Sequence, residues 1–158
     1  MKLSEKLSIE LKAAWDNISA YYARYQDVVR YKEKMIDSSQ KKGYVSTLFN
    51  RIRDLPDIEH GNNRIRSEAE QMAINMPIRG TTADLIKKAM IFIHRRLSQN
   101  GLRTWMLLQV HDELVFEVPK KELDAVIPMV REEMEGIYLL RVPLKVDINK
   151  GRNWYEAH

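Results

Sequence analysis

Cysteine is absent from the 158 residues, which excludes disulfides and thiolate zinc sites and fits a reducing cytosol. Glycine and proline are scarce, at 6 and 5 residues, and no Gly/Ser linker, low-complexity tract or repeat of 20–50 residues is present. The longest apolar run, Ala125 to Val130, is six residues with a proline inside it, against the roughly 20 that a spanning helix needs. The start, Met1-Lys2-Leu3-Ser4-Glu5-Lys6, has no apolar core of a signal peptide. A membrane protein and a disulfide scaffold are excluded. A cytoplasmic protein with no membrane partner is expected. What is present is ordinary globular composition, 44% apolar and 30% charged, enough for one core but not two large ones.

The net charge of +4 is unevenly spread. Residues 61–103 carry 8 basic and 3 acidic side chains, whereas residues 104–158 carry 7 and 10. A basic stretch beside an acidic one suits a protein that holds a polyanion near a cation site, and also suits plain solvated surface.

Hydrophobic periodicity predicts helices first. Leu7, Leu11, Ala14, Ile18, Tyr21, Tyr25 and Val28 alternate steps of four and three, which marks a helix face or, alternatively, a coiled-coil seam. Lys41-Lys42-Gly43 supplies a stop. Residues 44–63 read as a connector containing Pro56 and His60-Gly61-Asn62-Asn63. A second helix is expected over Arg64–Met76, closed by Pro77, with Glu68, Gln71 and Asn75 opposite its apolar stripe. Thr81 with Asp84 resembles a capping box opening a third helix that ends at Asn100-Gly101. Its apolar side is Ile86, Ala89, Met90, Ile93 and Leu97.

The pattern then changes. Trp105–Val110 and Leu114–Val118 are two short strands around His111-Asp112-Glu113. Leu123, Val126, Ile127, Val130 and Met134 mark another helix, and Leu144, Val146 and Ile148 alternate as a half-buried strand. Helices followed by β-β-α-β make the class α+β, an antiparallel sheet with helices packed on one face. Two segments are expected, 1–63 and 64–158.

No phosphate-loop ending follows Gly80-Thr81-Thr82-Ala83-Asp84, and neither a nucleophile elbow nor a zinc-protease helix occurs. His60, His94, His111 and His158 lack metal-ligand spacing. The informative cluster is Gln109-Val110-His111-Asp112-Glu113. Two adjacent carboxylates on a stiff hairpin tip present the hard oxygen donors a divalent cation prefers. A merely polar turn is the competing reading, because Asp is a favoured turn residue.

Gln109-Val110-His111-Asp112-Glu113-Leu114-Val115 resembles the third catalytic motif of the bacterial DNA polymerase I family, family A. Gly43-Tyr44-Val45-Ser46-Thr47-Leu48-Phe49, Leu55-Pro56-Asp57-Ile58, Ala73-Ile74-Asn75-Met76-Pro77-Ile78, Gly80-Thr81-Thr82-Ala83-Asp84-Leu85-Ile86-Lys87 and Asn153-Trp154 follow the family's order. The resemblance runs from Leu3 to His158. It implies a helical fingers-derived segment over 1–63 and the C-terminal part of the palm over 64–158. It also implies DNA-directed nucleotidyl transfer with two Mg2+ ions, one activating the primer 3′-hydroxyl and both offsetting charge at the α-phosphate. By the same resemblance Asp112 is a catalytic metal ligand and Glu113 an accessory carboxylate. Gln109 and His111 would lie beside the primer terminus. Gln71, Asn75 and Arg79 would meet the minor groove, where donors test pair geometry without reading sequence.

Some family features do not occur in these residues. The Asp-Tyr-Ser-x-x-Glu-Leu-Arg strand bearing the other aspartate and the triphosphate-gripping Arg-x-x-x-Lys helix are absent. Arg30-Tyr31-Lys32-Glu33-Lys34 runs on to Gly43-Tyr44 and is a decoy. The expected partners are therefore primer–template duplex, deoxynucleoside triphosphates in the complete enzyme, and a separate N-terminal polymerase half. The chain alone is expected to be inactive and truncated from a longer frame. A non-catalytic DNA-binding or assembly module is the alternative, and a hydrolase built on His111 and Asp112 lacks a second ligand set. Gln71 stands where the family usually has arginine, Arg79 where it usually has glutamine, and Ile52 where it has a second arginine. Tyr25-Gln26 replaces Tyr-Pro, which puts the family's helix kink there in question.

Overall fold

The fold, a computed structural model, describes residues 2–157, with the side chains of residues 2 and 3 left out. His158 lies outside the described residues. Among them no helix is long and apolar enough to cross a membrane. The chain divides into two compact units, Met1–Ile78 and Arg79–His158.

In the first unit the N-terminal periodicity is carried by three helices, not one: α1 (Lys2–Leu7), α2 (Leu11–Arg24) and α3 (Gln26–Lys42). Ser8 takes a positive φ of 52° after α1, and Tyr25 leaves helical geometry at φ −111°, ψ 64°. The break at Tyr25 therefore forms without the family's proline. A coiled-coil seam needs one continuous helix, and these breaks interrupt it. Only Ala14 of the stripe is fully buried. Gly43 ends α3 as expected, in left-handed conformation with its N–H donating to the Ser39 carbonyl.

The region read as a connector holds a hairpin, β1 (Tyr44–Ser46) against β2 (Ile52–Asp54). Its loop contains neither glycine nor proline. The buried Thr47 hydroxyl oxygen organises it instead, accepting from the Phe49 and Arg51 N–H groups, both at 3.2 Å. Val45, Leu55 and Ile58 pack with Ala69 and Ala73 to form this unit's core.

Pro77 does not end a helix, and Thr81 does not begin one. A single helix, α4 (Asn63–Gln99), runs through both positions. An interior proline costs about 3 kcal/mol. Burial of a large apolar side chain returns roughly 1.5–3 kcal/mol each, and α4 buries Leu85, Ile86, Ile93 and Leu97 beyond the proline. Before the proline, the Tyr31 hydroxyl donates to the Ile74 carbonyl at 3.1 Å. The stop at Asn100-Gly101 is a Schellman motif: Leu102 N–H donates to Leu97 O and Gly101 N–H to Ser98 O, with Gly101 at φ 62°.

In the second unit β3 (Trp105–Val110) pairs antiparallel with β4 (Glu113–Glu117). A 3₁₀ turn (Lys120–Glu122) leads into α5 (Leu123–Glu135). Ala89, Ile93, Leu97, Val126, Met129 and Val130 form the core, with Met106, Leu114 and Phe116 of the hairpin packed on it. The fold class is α+β with antiparallel sheets, as expected. The third strand is not formed. Leu144, Val146 and Ile148 do alternate half-buried with exposed neighbours, but residues 144–148 join no ladder. Side chains of α5 take the place of a ladder partner: Val146 N–H donates to Glu135 and Arg131 donates to the Val146 carbonyl, both at 3.0 Å. A short helix, α6 (Trp154–Ala157), closes the described chain. Asn153 caps it by accepting from Glu156 N–H at 3.0 Å, while the Glu156 carboxylate accepts from Arg152 N–H at 2.9 Å.

Candidate nucleic-acid and metal site

The β3–β4 hairpin has one face on the core and its tip in solvent. Val110 pairs directly with Glu113, so the turn consists of His111 and Asp112 alone, and Glu113 is the first residue of β4. His111 adopts φ 53°, the positive value that a two-residue hairpin turn of the II′ kind needs at its first position. Gln109 donates its side-chain amide to the His111 carbonyl at 2.6 Å, bracing the turn. Leu107 is passed over by the register between Met106 and Leu108, a bulge of the kind that re-aims side chains near sites. Four of the expected site residues, Gln109, His111, Asp112 and Glu113, thus come together at one exposed tip. Gln71 and Asn75 are exposed one turn apart on α4 in the first unit, and Arg79, also exposed, opens the second.

The chemistry of the donor set decides how far the tip suits a hard cation. Asp112 and Glu113 offer carboxylate oxygens, the ligand type that Mg2+ selects. No group of three His, Cys, Asp or Glu residues able to hold a metal occurs among the described residues. The tip therefore fits one side of a shared site and does not make a closed one by itself.

Two features were missed by reading the sequence. The first is Arg96, one of the 8 basic residues of 61–103. It bridges Glu132 and Glu133 of α5, each at 2.7 Å, and Arg64 and Arg66 likewise face Glu68 and Glu70. The basic stretch is thereby partly neutralised. Arg79, Lys87 and Arg95 are exposed and belong to none of these pairs. The adjacent acidic residues Glu132 and Glu133 on the next expected helix were the available signal.

The second is Glu122. Its side chain is buried at 7% exposure and accepts from Arg103 N–H at 3.0 Å and the Thr104 hydroxyl at 2.9 Å. Burial pushes its carboxyl up, but the hydrogen bonds from Arg103 and Thr104, with the Lys121 charge, outweigh this and hold it below its ordinary value. A depressed folded-state pKa contributes stability that is present above the unfolded value, about 4.3, and lost as pH falls through the folded one. The stability gap between the native chain and Glu122→Gln should therefore be full at pH 7 and shrink below about pH 4. Urea unfolding at stepped pH measures it, and parallel curves down to pH 3 would contradict the assignment.

Comparison with known proteins agrees with the motif order. A sequence model described as DNA polymerase family A matches residues 1–156. DNA polymerase I of Bacillus caldotenax is 47% identical over 155 residues, covering 98% of this chain and 18% of that protein. Thermostable DNA polymerase I of Thermus aquaticus is 44% identical over 156 residues, covering 99% and 18%. A solved POL domain of Pol1 from M. smegmatis, in complex with DNA primer-template and dNTP, superposes at TM-score 0.93 with 41% identity, over 98% of this chain and 27% of that one. The chain thus spans less than a fifth of the length of the curated relatives cited. On a match that covers almost every residue, this chain belongs to DNA polymerase family A.

Proposed function

We propose that these residues form the C-terminal fingers–palm segment of a DNA-directed DNA polymerase, with 1–63 fingers-derived and 64–158 from the palm. The observation that carries this reading is the Gln109–Glu113 string displayed on a braced hairpin tip over a packed core. Asp112 would be the palm ligand for a divalent cation and Glu113 an accessory carboxylate beside it. Magnesium, when bound, would acidify the primer 3′-hydroxyl and offset charge at the α-phosphate. The protein's own task is to hold Asp112 rigidly, with Gln109 fixing the turn. Gln71, Asn75 and Arg79 supply exposed donors suited to minor-groove acceptors, and His111 stands beside the primer end. A separate N-terminal polymerase half would contribute the second aspartate and the triphosphate grip.

The test is reconstitution. The 158 residues alone, with primer–template, Mg2+ and all four deoxynucleoside triphosphates, should give no product above an Asp112→Ala control. Adding a polymerase segment that carries the Asp-Tyr-Ser strand should yield extension that requires Asp112. A second reading, a non-catalytic DNA-binding or assembly module, is favoured by the exposed cations Arg79, Lys87 and Arg95 along α4. Reconstituted extension that survives Asp112→Ala would select it.

Duplex affinity of the chain should fall with salt, but shallowly. Each neutralised phosphate contributes a slope of about −0.9 in log K against log salt. With Arg79, Lys87 and Arg95 outside the ion pairs, a slope of about −3 is expected. Fluorescence anisotropy between 50 and 200 mM salt (roughly the range over which such slopes are read) measures it. A salt-independent affinity would remove the electrostatic basis of the binding.

A further inference from the structure

Trp105 is 70% exposed at the base of the hairpin, the end opposite Asp112. Roughly 17 Å of strand separates the two ends, at about 3.3 Å per residue. Large aromatics are highly buried on average, whereas this indole stands open, as Leu139, Val142 and Tyr155 of the same unit also do. Its neighbours combine charged and apolar groups. An open cleft of about 360 Å³ is lined by Arg103, Trp105, Glu117, Val118, Pro119 and Lys121. That volume lies within the range of small-molecule sites, about 300–1,000 Å³.

The local geometry explains how the cleft is held. Thr104 is buried, and Arg103 N–H and the Thr104 hydroxyl are both tied to the buried Glu122 carboxylate. Trp105 follows directly and pairs with Glu117 across the ladder. The segment that presents the indole is thus anchored from beneath by one carboxylate and from the side by the hairpin. Pro119, at φ −55° and ψ 133°, turns the chain so that Lys121 joins the same cleft. The result is one flat π-face, two cations and one carboxylate acceptor around a single hollow.

We propose that this cleft binds a nucleoside phosphate, its base stacked on Trp105 and its phosphate between Arg103 and Lys121. The Glu117 carboxylate is placed to accept from an exocyclic amine, which favours adenine, cytosine or guanine over uracil and thymine. A purely anionic ligand would be repelled by Glu117 and would leave the indole unused. A purely apolar ligand would leave two cations beside it. A base joined to a phosphate satisfies all four groups. The inference does not rest on the polymerase reading, because none of its residues belongs to the Gln109–Glu113 tip. The same chemistry is offered by a free mononucleotide and by a nucleotide within a single strand.

Titration of the full chain, followed by NMR at the backbone amides of Glu117 and Lys121, which survive every substitution at Trp105, separates these sources. The probes are AMP, UMP, inorganic phosphate and a short oligo-dA strand. AMP binding should shift these amide signals saturably and be tighter than that of UMP or phosphate. Trp105→Ala should weaken it on the order of tenfold or more, the usual scale for loss of base–aromatic stacking, and Trp105→Phe should restore most of it. A response to oligo-dA alone, with the same sensitivity to Trp105→Ala, would support the site and assign it to a strand. Equal responses to phosphate and AMP, or affinity for AMP and oligo-dA unchanged in a folded Trp105→Ala variant, would overturn it. None of these readouts involves primer extension, so failure here and failure of the polymerase reading are distinguishable.

Discussion

Primer extension by a polymerase assembled with these residues should fall at least about a thousandfold when Asp112 is replaced by alanine. Charge stabilisation through a carboxylate-held cation is worth several kcal/mol in the transition state, and each 1.36 kcal/mol is tenfold in rate. About 4 kcal/mol therefore gives three orders of magnitude. Asp112 is exposed at a two-residue turn, so its loss should leave the thermal midpoint nearly unchanged, within the ±0.5 kcal/mol or so of ordinary surface substitutions. Asp112→Asn separates charge from turn geometry, because asparagine is equally at home in a turn. It should be nearly as inactive as alanine. Glu113→Ala should cost less, on the order of tenfold in rate, or about 1.4 kcal/mol, since an accessory carboxylate does less than a ligand. Single-turnover extension assays on the three variants measure these values. A rate for Asp112→Ala within tenfold of the native one would remove Asp112 from the catalytic role.

The largest effect on stability is expected at Ile93. It is fully buried, and its neighbours in the core are Ala89, Leu97, Val126, Met129 and Val130. Ile→Ala in such a setting costs about 2–5 kcal/mol, combining lost transfer energy with the cavity left behind. A unit of this size has a total stability of roughly 5–15 kcal/mol at most. Each kcal/mol moves the midpoint by about 4–8 °C in a small domain, so a loss of about 2–5 kcal/mol should lower it by roughly 8–40 °C. Two residues away, Ile91 is half exposed, and Ile91→Ala should change stability by about 0.5 kcal/mol or less. Circular dichroism melts of the two variants provide the comparison. Equal losses at both positions would mean that the hairpin is supported by something other than this core. Because Met106, Leu114 and Phe116 rest on the same cluster, Ile93→Ala should also loosen the tip that carries Asp112.

Much of this molecule was legible in the linear chain, for identifiable reasons. The inward faces of α4 beyond the proline and of α5 follow a 3.6-residue period, and Ile86, Ala89, Ile93, Leu97, Val126 and Val130 are buried as that period requires. Gly43 and Gly101 stop helices because each takes a positive φ that other residues resist. The β3–β4 hairpin was visible as two apolar runs around a polar tip, and the family as an ordered set of short motifs.

Tertiary structure decided what local preference could not. Pro77 reads as a helix end because its own missing N–H and ring act locally, yet apolar residues beyond it hold α4 continuous. Residues 44–63 read as a connector, and the hairpin over 44–54 is hidden because its turn relies on the Thr47 hydroxyl rather than on glycine or proline. Leu144–Ile148 alternate as a strand should, but alternation specifies only which side chains face inward. A ladder also needs a neighbouring backbone, and Glu135 and Arg131 meet Val146 instead. Charge behaves in the same way: composition counts Arg96 as a free cation, and only the approach of α5 shows it held between two glutamates. Periodicity and turn chemistry are properties of neighbours along the chain, so the sequence by itself determined the inward helix faces, the β3–β4 hairpin and the family. Pairing, neutralisation and the exposure of Trp105 depend on residues distant in sequence, and only the folded chain brings those together.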